Sequence, residues 1–285
     1  MSGAVDSFSY GLVTPVAAYL MACLGSSLGL RCVTRTVMHQ AQRGRAAWLA
    51  LGAACLGVGI WTMHFIAMMG FQVNQAPITY DVPLTVLSLA VAVAVVSLGV
   101  FMVGYRGATK RVLLAAGVLT GLGVAAMHYL GMAALRVRGE LHYSVPLVVL
   151  SVVIAVIAAT AALWAAVSIR GFLPSLAASL VMGIAVSGMH YTGMAAVSVH
   201  LHTTGGHSAG QSAGDLLVPM LAGPFLFLVL AAVIVMFDPI LVGGDPAGGG
   251  TSDQQRASIA VQLSHRPAPY ERQPRDVSAP RPDWQ

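Results

Sequence analysis

The chain is predicted to be an all-α membrane protein, with seven transmembrane helices built from three two-helix repeats plus a last helix. Three observations predict it. Apolar side chains make up 57% of the 285 residues, charged ones only 9%, and mean hydropathy is +0.78, whereas a soluble domain carries roughly a quarter charged residues. Apolar runs of about 20 residues, the length a helix needs to cross a bilayer, recur seven times. Finally, one six-residue pattern returns three times, and internal repetition of that kind dictates architecture before any local propensity does.

The spans fall at about Tyr10 to Leu30, Ala47 to Gly70, Pro83 to Tyr105, Val112 to Leu135, Ser144 to Ile169, Leu173 to Val197 and Leu216 to Phe237. None contains Asp, Glu, Lys or Arg. The first has no basic stretch before it and is followed directly by Arg31 and Arg35, which reads as a retained anchor and not a cleaved signal peptide. Proline marks where odd-numbered helices begin: Pro83 in Tyr80-Asp81-Val82-Pro83, Pro146 in Tyr143-Ser144-Val145-Pro146, and Pro219, with Tyr10 and Pro15 as a degenerate first copy. Proline suits a first helical turn because its missing N–H would be unpaired there anyway. The organisation is therefore a short extracytoplasmic segment over residues 1–9, a membrane domain over 10–238, and a tail over 239–285. That tail is rich in Gly, Pro and paired charges, too poor in apolar side chains to offset the entropy of ordering, and expected to be disordered.

Short loops rich in Lys and Arg stay cytoplasmic. Arg31, Arg35, Arg43, Arg45, Arg106, Lys110, Arg111, Arg170 and the five tail arginines lie on one side, 13 in all, against Arg136 and Arg138 on the other. The expected orientation in the plasma membrane has the N-terminus outside and the C-terminus inside. The net charge of +5 is spread over short loops and the tail, so it implies the lipid bilayer as partner and no nucleic acid. Cys23, Cys32 and Cys55 are an odd set without scaffold spacing, and no structural disulfide is expected.

The repeated pattern is Met-His-aromatic-x-small-Met: Met63-His64-Phe65-Ile66-Ala67-Met68, Met127-His128-Tyr129-Leu130-Gly131-Met132 and Met189-His190-Tyr191-Thr192-Gly193-Met194. The histidines are 64 and then 62 positions apart, room for two spans per copy. Each unit is one descending and one ascending helix, with the motif near the top of the second. Successive units then run parallel around a pseudo-threefold axis along the membrane normal, which brings helices 2, 4 and 6 together with His64, His128 and His190 at one height, near the outer boundary. Polar groups inside a bilayer are costly and point to function; a metal ion would account for an imidazole kept in every copy. The plainer alternative is that each histidine ties helices together through a serine, threonine or carbonyl.

Met68, Met132 and Met194 lie four residues after each histidine, on the same helix face, so each pair could clip a soft metal. Met63, Met127 and Met189 point about 100° away and could serve a second ion or a helix contact. Tyr129 and Tyr191 could hydrogen-bond a ligand or its supporting groups, and Phe65 shows that the hydroxyl is not needed in every copy. Gly131 and Gly193 are expected to be close-packing residues between helices. His142, His200, His202 and His207, in outer loops, could gather metal.

These three motifs on alternate helices resemble the MHYT domain of bacterial signalling proteins, over about residues 10 to 238. The resemblance implies a sensor in which Met, His and Tyr residues hold copper near the outer face and through it sense oxygen, carbon monoxide or nitric oxide. Relatives often carry a cytoplasmic output domain, such as one making or breaking cyclic di-GMP. Here a short tail follows the last helix, so the expectation is a standalone member signalling to a separate, unidentified partner. Two other readings stay open: a copper-handling or transport protein, and a b-type haem protein using two of the histidines. No hydrolase triad, phosphate loop or carboxylate pair lies in the spans, so no enzymatic activity is expected. The single lysine, Lys110, in an inner loop, excludes a retinal Schiff base.

Overall fold

The computed structural model describes residues 2–3, 5–6, 9–38, 44–73, 78–137, 139–169, 171–201 and 211–237. The tail, together with Arg43, Arg138, Arg170, His202 and His207, lies outside them.

Seven helices form where the apolar runs predict them: α1 Val13–Met38, α2 Arg45–Met69, α3 Val82–Arg106, α4 Lys110–Ala133, α5 Val145–Ser168, α6 Phe172–Ala195 and α7 Ala213–Met236. All seven have the length and composition to cross a membrane, and the protein is a multi-pass membrane protein. Local chemistry sets the ends. Asp81 caps α3, its carboxylate accepting from the Leu84 N–H at 3.1 Å, with Pro83 in the first turn. Thr109 caps α4 through Val112 at 3.4 Å. Gly44 and Gly171, both at positive φ, turn the chain into α2 and α6.

Two expectations about ends change. Helix α1 runs on to Met38, past Arg31 and Arg35, because both guanidiniums lie over aromatic rings of neighbouring helices: Arg31 is 4.7 Å from the Phe172 centroid and Arg35 4.0 Å from that of Trp48. Other helices likewise carry charged residues at their ends, as with Arg45, Arg106, Lys110 and Arg111. Pro219 lies inside α7 and not in its first turn, as does Pro224; helix-breaking residues are tolerated in membrane helices when neighbouring groups satisfy the freed backbone.

Helices α1 to α6 close into a ring in which each packs on the next and α6 packs back on α1, while α7 lies outside against α1 and α2. Glycines let backbones approach at some of these seams. A Cβ on Gly57 would stand 2.8 Å from Val93 Cα, and one on Gly25 would stand 2.7 Å from Gly59 Cα. At the basic end of the ring, the Thr34 hydroxyl on α1 donates to the Ala166 carbonyl on α5 at 3.4 Å.

The motif end carries structure that the hydropathy pattern does not show. Short strands β1 Ser2–Gly3, β2 Val5–Asp6, β3 Gln72–Val73, β4 Thr79–Tyr80, β5 Leu135–Arg136, β6 Gly139–Tyr143, β7 Val197–Leu201 and β8 Gln211–Ser212 pair antiparallel above the helices. Within each repeat, the strand before the first helix pairs with the strand after the second: β2 with β3, β4 with β5, β6 with β7. A backbone bond closes each unit at the same place. Ser9 donates to the Gly70 carbonyl at 3.1 Å, Asp81 to Ala134 at 2.9 Å and Ser144 to Ala196 at 2.9 Å. The repeat is therefore strand, helix, helix, strand. In the second unit, Arg136 adds an ion pair to Asp81 at 2.9 Å. That guanidinium first, and the Leu84 N–H after it, hold the Asp81 carboxyl below the usual carboxylate range.

Candidate metal centre

Ring closure at the motif end brings α2, α4 and α6 to the axis, each presenting its histidine. The His64, His128 and His190 side chains are 0–1% exposed, and they meet through the same atom. Nδ1 of His64 is 3.1 Å from Nδ1 of His190 and 3.2 Å from Nδ1 of His128, and the third side of the triangle is 3.3 Å. The rings stand nearly perpendicular, at interplanar angles of 78°, 80° and 89°.

Hydrogen bonding alone cannot satisfy this triangle. A ring nitrogen either carries a proton and donates or presents a lone pair and accepts. Among three mutually contacting nitrogens two must be alike, so at least one contact sets lone pair against lone pair or N–H against N–H. A cation at the centre would take all three lone pairs at once. The point equidistant from the three nitrogens lies about 1.85 Å from each, within ~0.2 Å of the lower end of the roughly 2.0–2.1 Å range of a metal–imidazole bond. The three residues also form a group able to offer one ligand atom each to a single ion.

The outward-facing nitrogens are unusual. Nε2 of all three histidines is buried with no hydrogen-bond partner among the described residues, although a ligating imidazole ordinarily donates its second N–H to an acceptor. Two of them abut motif glycines. A Cβ at Gly131 would lie 2.5 Å from His64 Nε2, and one at Gly193 would lie 2.5 Å from His128 Nε2. These glycines were expected between helices; what they meet is the histidine of the preceding repeat. The pattern carried a signal for this in the recurrence of a small residue three positions after each histidine.

The aromatic that follows each histidine packs edge-on against it: Phe65 at 4.7 Å between centroids, Tyr129 at 4.9 Å and Tyr191 at 5.0 Å. The Tyr129 hydroxyl reaches sideways to the Ser151 hydroxyl on α5 at 2.6 Å, and Ser151 in turn donates to the Val148 carbonyl. In the first repeat, where Phe65 has no hydroxyl, Ser88 at the matching place on α3 instead accepts from Trp61 Nε1 at 2.9 Å. All six motif methionines are buried in the apolar core, Met68, Met127, Met132, Met189 and Met194 in the largest cluster and Met63 in a smaller one with Ala18, Ala22, Ala67 and Val186. Cys23, Cys32 and Cys55 are buried, and no disulfide joins them. Among the outer-loop histidines, His142 lies 3.7 Å from Glu140 on β6.

The family described as "Bacterial signalling protein N terminal repeat", MHYT, matches residues 57–116 and 121–179. Each match begins inside a motif helix and runs through the next odd helix. Among curated proteins, the chain is 36% identical over 236 residues to the bifunctional diguanylate cyclase/cyclic di-GMP phosphodiesterase MucR of Pseudomonas aeruginosa, covering 81% of this chain and 34% of that protein. It is 42% identical over 186 residues to the cyclic di-GMP phosphodiesterase NbdA of the same organism, covering 63% and 23%. An uncharacterized signaling protein of Caulobacter vibrioides is 32% identical over 235 residues, covering 80% and 27%. The chain thus spans about a third or less of the length of these relatives. No solved structure matches it.

Proposed function

The chain belongs to the MHYT family of bacterial signalling proteins, and from that premise we propose that it is an integral-membrane sensory module holding one copper ion on His64, His128 and His190, responsive to oxygen, carbon monoxide or nitric oxide. The single observation behind the metal is the Nδ1 triangle, which neutral imidazoles cannot satisfy among themselves and a cation can. Copper is the choice of ion because imidazole suits it and because thioethers, which select Cu(I), recur beside each histidine; in this proposal Met68, Met132 and Met194 complete the ligand set, with Met63, Met127 and Met189 behind them. Reduced copper with soft ligands can offer an open position to a diatomic gas.

The residues of the chain supply the rest. The six-helix ring fixes where the imidazoles point, the strands cover the motif end, and the tyrosines brace the rings. In this reading the motif end faces outward, as the basic residues at the other end favour, and a change at the axis moves α2, α4 and α6 relative to the odd helices. The names of two relatives tie those whole proteins to cyclic di-GMP. For this membrane domain we propose no enzymatic step, only transmission to a signalling partner. A haem is disfavoured by the same geometry, since nitrogens 3.1–3.3 Å apart leave no slot for a macrocycle between any two of them.

The test is elemental analysis of protein purified without chelators, wild type beside the His64→Ala/His128→Ala/His190→Ala variant. About one copper per folded wild-type chain and none in the variant supports the proposal. Folded wild type without metal, or equal metal in both, overturns it.

A further inference from the structure

We infer that Gly131 and Gly193 are positioning residues for the metal centre, each providing the seat on which the imidazole of the preceding repeat turns its Nδ1 to the axis. The inference rests on the metal reading above for its consequence, although the contact itself does not. His64 comes from α2 and its seat from α4; His128 comes from α4 and its seat from α6. The rings are thus interlocked from one repeat to the next, and each glycine acts on a histidine 67 or 65 residues away (131 minus 64, 193 minus 128) and not on the one three residues before it in its own motif. The equivalent position in the first repeat is Ala67, so the two bare-backbone seats are the ones a test can close.

The distances decide what a methyl would do. At 2.5 Å from Nε2, and 3.0 and 3.1 Å from Cδ2 of His64 and His128, an added Cβ is far inside ordinary contact, which lies near 3.5–4.0 Å. The ring must back away by about 1 Å, several times the ~0.2 Å by which a ligand can miss its place. Retreat from the Gly131 seat carries the Nδ1 of His64 off the shared point while His128 and His190 keep theirs. Gly188, on α6 within a turn and a half of Gly193, provides the control, because a Cβ there meets nothing within 4 Å.

The experiment combines copper affinity with a double-mutant cycle on the metal-free protein. Gly131→Ala and Gly193→Ala are expected to weaken copper binding by ~10- to 100-fold, the range for losing support of a metal ligand, with Gly188→Ala unchanged. In chelator-treated protein, Gly131→Ala should lower Tm by about 2–12 °C, and the loss should vanish in a His64→Ala background but persist in a His190→Ala background. Should Gly131→Ala alone fail to fold, recovery of folding by the added His64→Ala supports the seat, and failure of both refutes it. Unchanged affinity in Gly131→Ala and Gly193→Ala, or a Tm loss indifferent to His64, overturns the inference. Wild type that binds no copper while the His64 coupling persists would instead sink the metal reading and leave the seat standing.

Discussion

Removing the proposed ion should destabilise the protein by an amount the geometry allows us to estimate. In the metal-free centre, three buried Nε2 atoms have no hydrogen-bond partner among the described residues and at least one Nδ1 contact opposes like against like. Each unsatisfied buried group costs about 1–3 kcal/mol, so the empty triangle is a site of stored cost of several kcal/mol. An ion that binds only the folded state relieves the Nδ1 conflict and adds RT ln(1 + [L]/Kd), about 4.1 kcal/mol when free ion stands 1,000-fold above Kd. At roughly 2–4 °C per kcal/mol for a domain of this size, Tm should rise by about 8–16 °C. The assay is thermal unfolding in detergent after chelation, with and without added Cu(I), for wild type and the triple His→Ala variant. Wild type should show the rise and the variant none. An equal rise in both would place copper elsewhere, and no rise in wild type that demonstrably holds copper would refute the claim that the triangle is unsatisfied without it.

Three smaller predictions follow from other contacts. The Asp81 carboxyl is held below its ordinary range first by Arg136, so the clamp at the start of α3 contributes stability present above the unfolded pKa and lost as pH falls through the folded one; Arg136→Ala should move that acid loss to higher pH in a titration of Tm. Tyr129→Phe removes the 2.6 Å bond to Ser151 but copies the first repeat, so a cost of about 0.5–1.5 kcal/mol in thermal unfolding with unchanged copper content is expected, and loss of copper would show that the hydroxyl serves the centre. Gly57→Ala drives a Cβ to 2.8 Å from the Val93 backbone and should cost about 1–3 kcal/mol, whereas Gly188→Ala should be neutral or stabilising by up to about 1 kcal/mol; equal effects would contradict the α2–α3 seam.

Much of this was legible in the residues because the membrane simplifies the code. Seven apolar runs gave seven helices, and the 64- and 62-residue spacing of the histidines gave their parallel units and common height. What was not legible has particular causes. Arg31 and Arg35 look like a stop signal, yet their guanidiniums find Phe172 and Trp48, contacts set by tertiary packing. The strands are two to five residues long, too short for alternation to register. Gly131 and Gly193 read as helix-contact residues, because a small residue on a membrane helix does not reveal whether a helix or a ring will occupy its space. Closure of α6 on α1 agrees with the threefold arrangement read from the repeats, whereas the seat of α7 against α1 and α2 left no signal in the pattern.

That closure constrains biosynthesis. A chain emerging from the ribosome holds two of its three imidazoles once α4 is inserted, but the seat of His128 is on α6 and the neighbour that α6 needs is the first helix made. Under the proposed metal reading, ion capture would be a checkpoint for completed insertion: a nascent product stalled after the fourth span has neither the third nitrogen nor a closed wall, and metal loading would report that the last repeat has found the first.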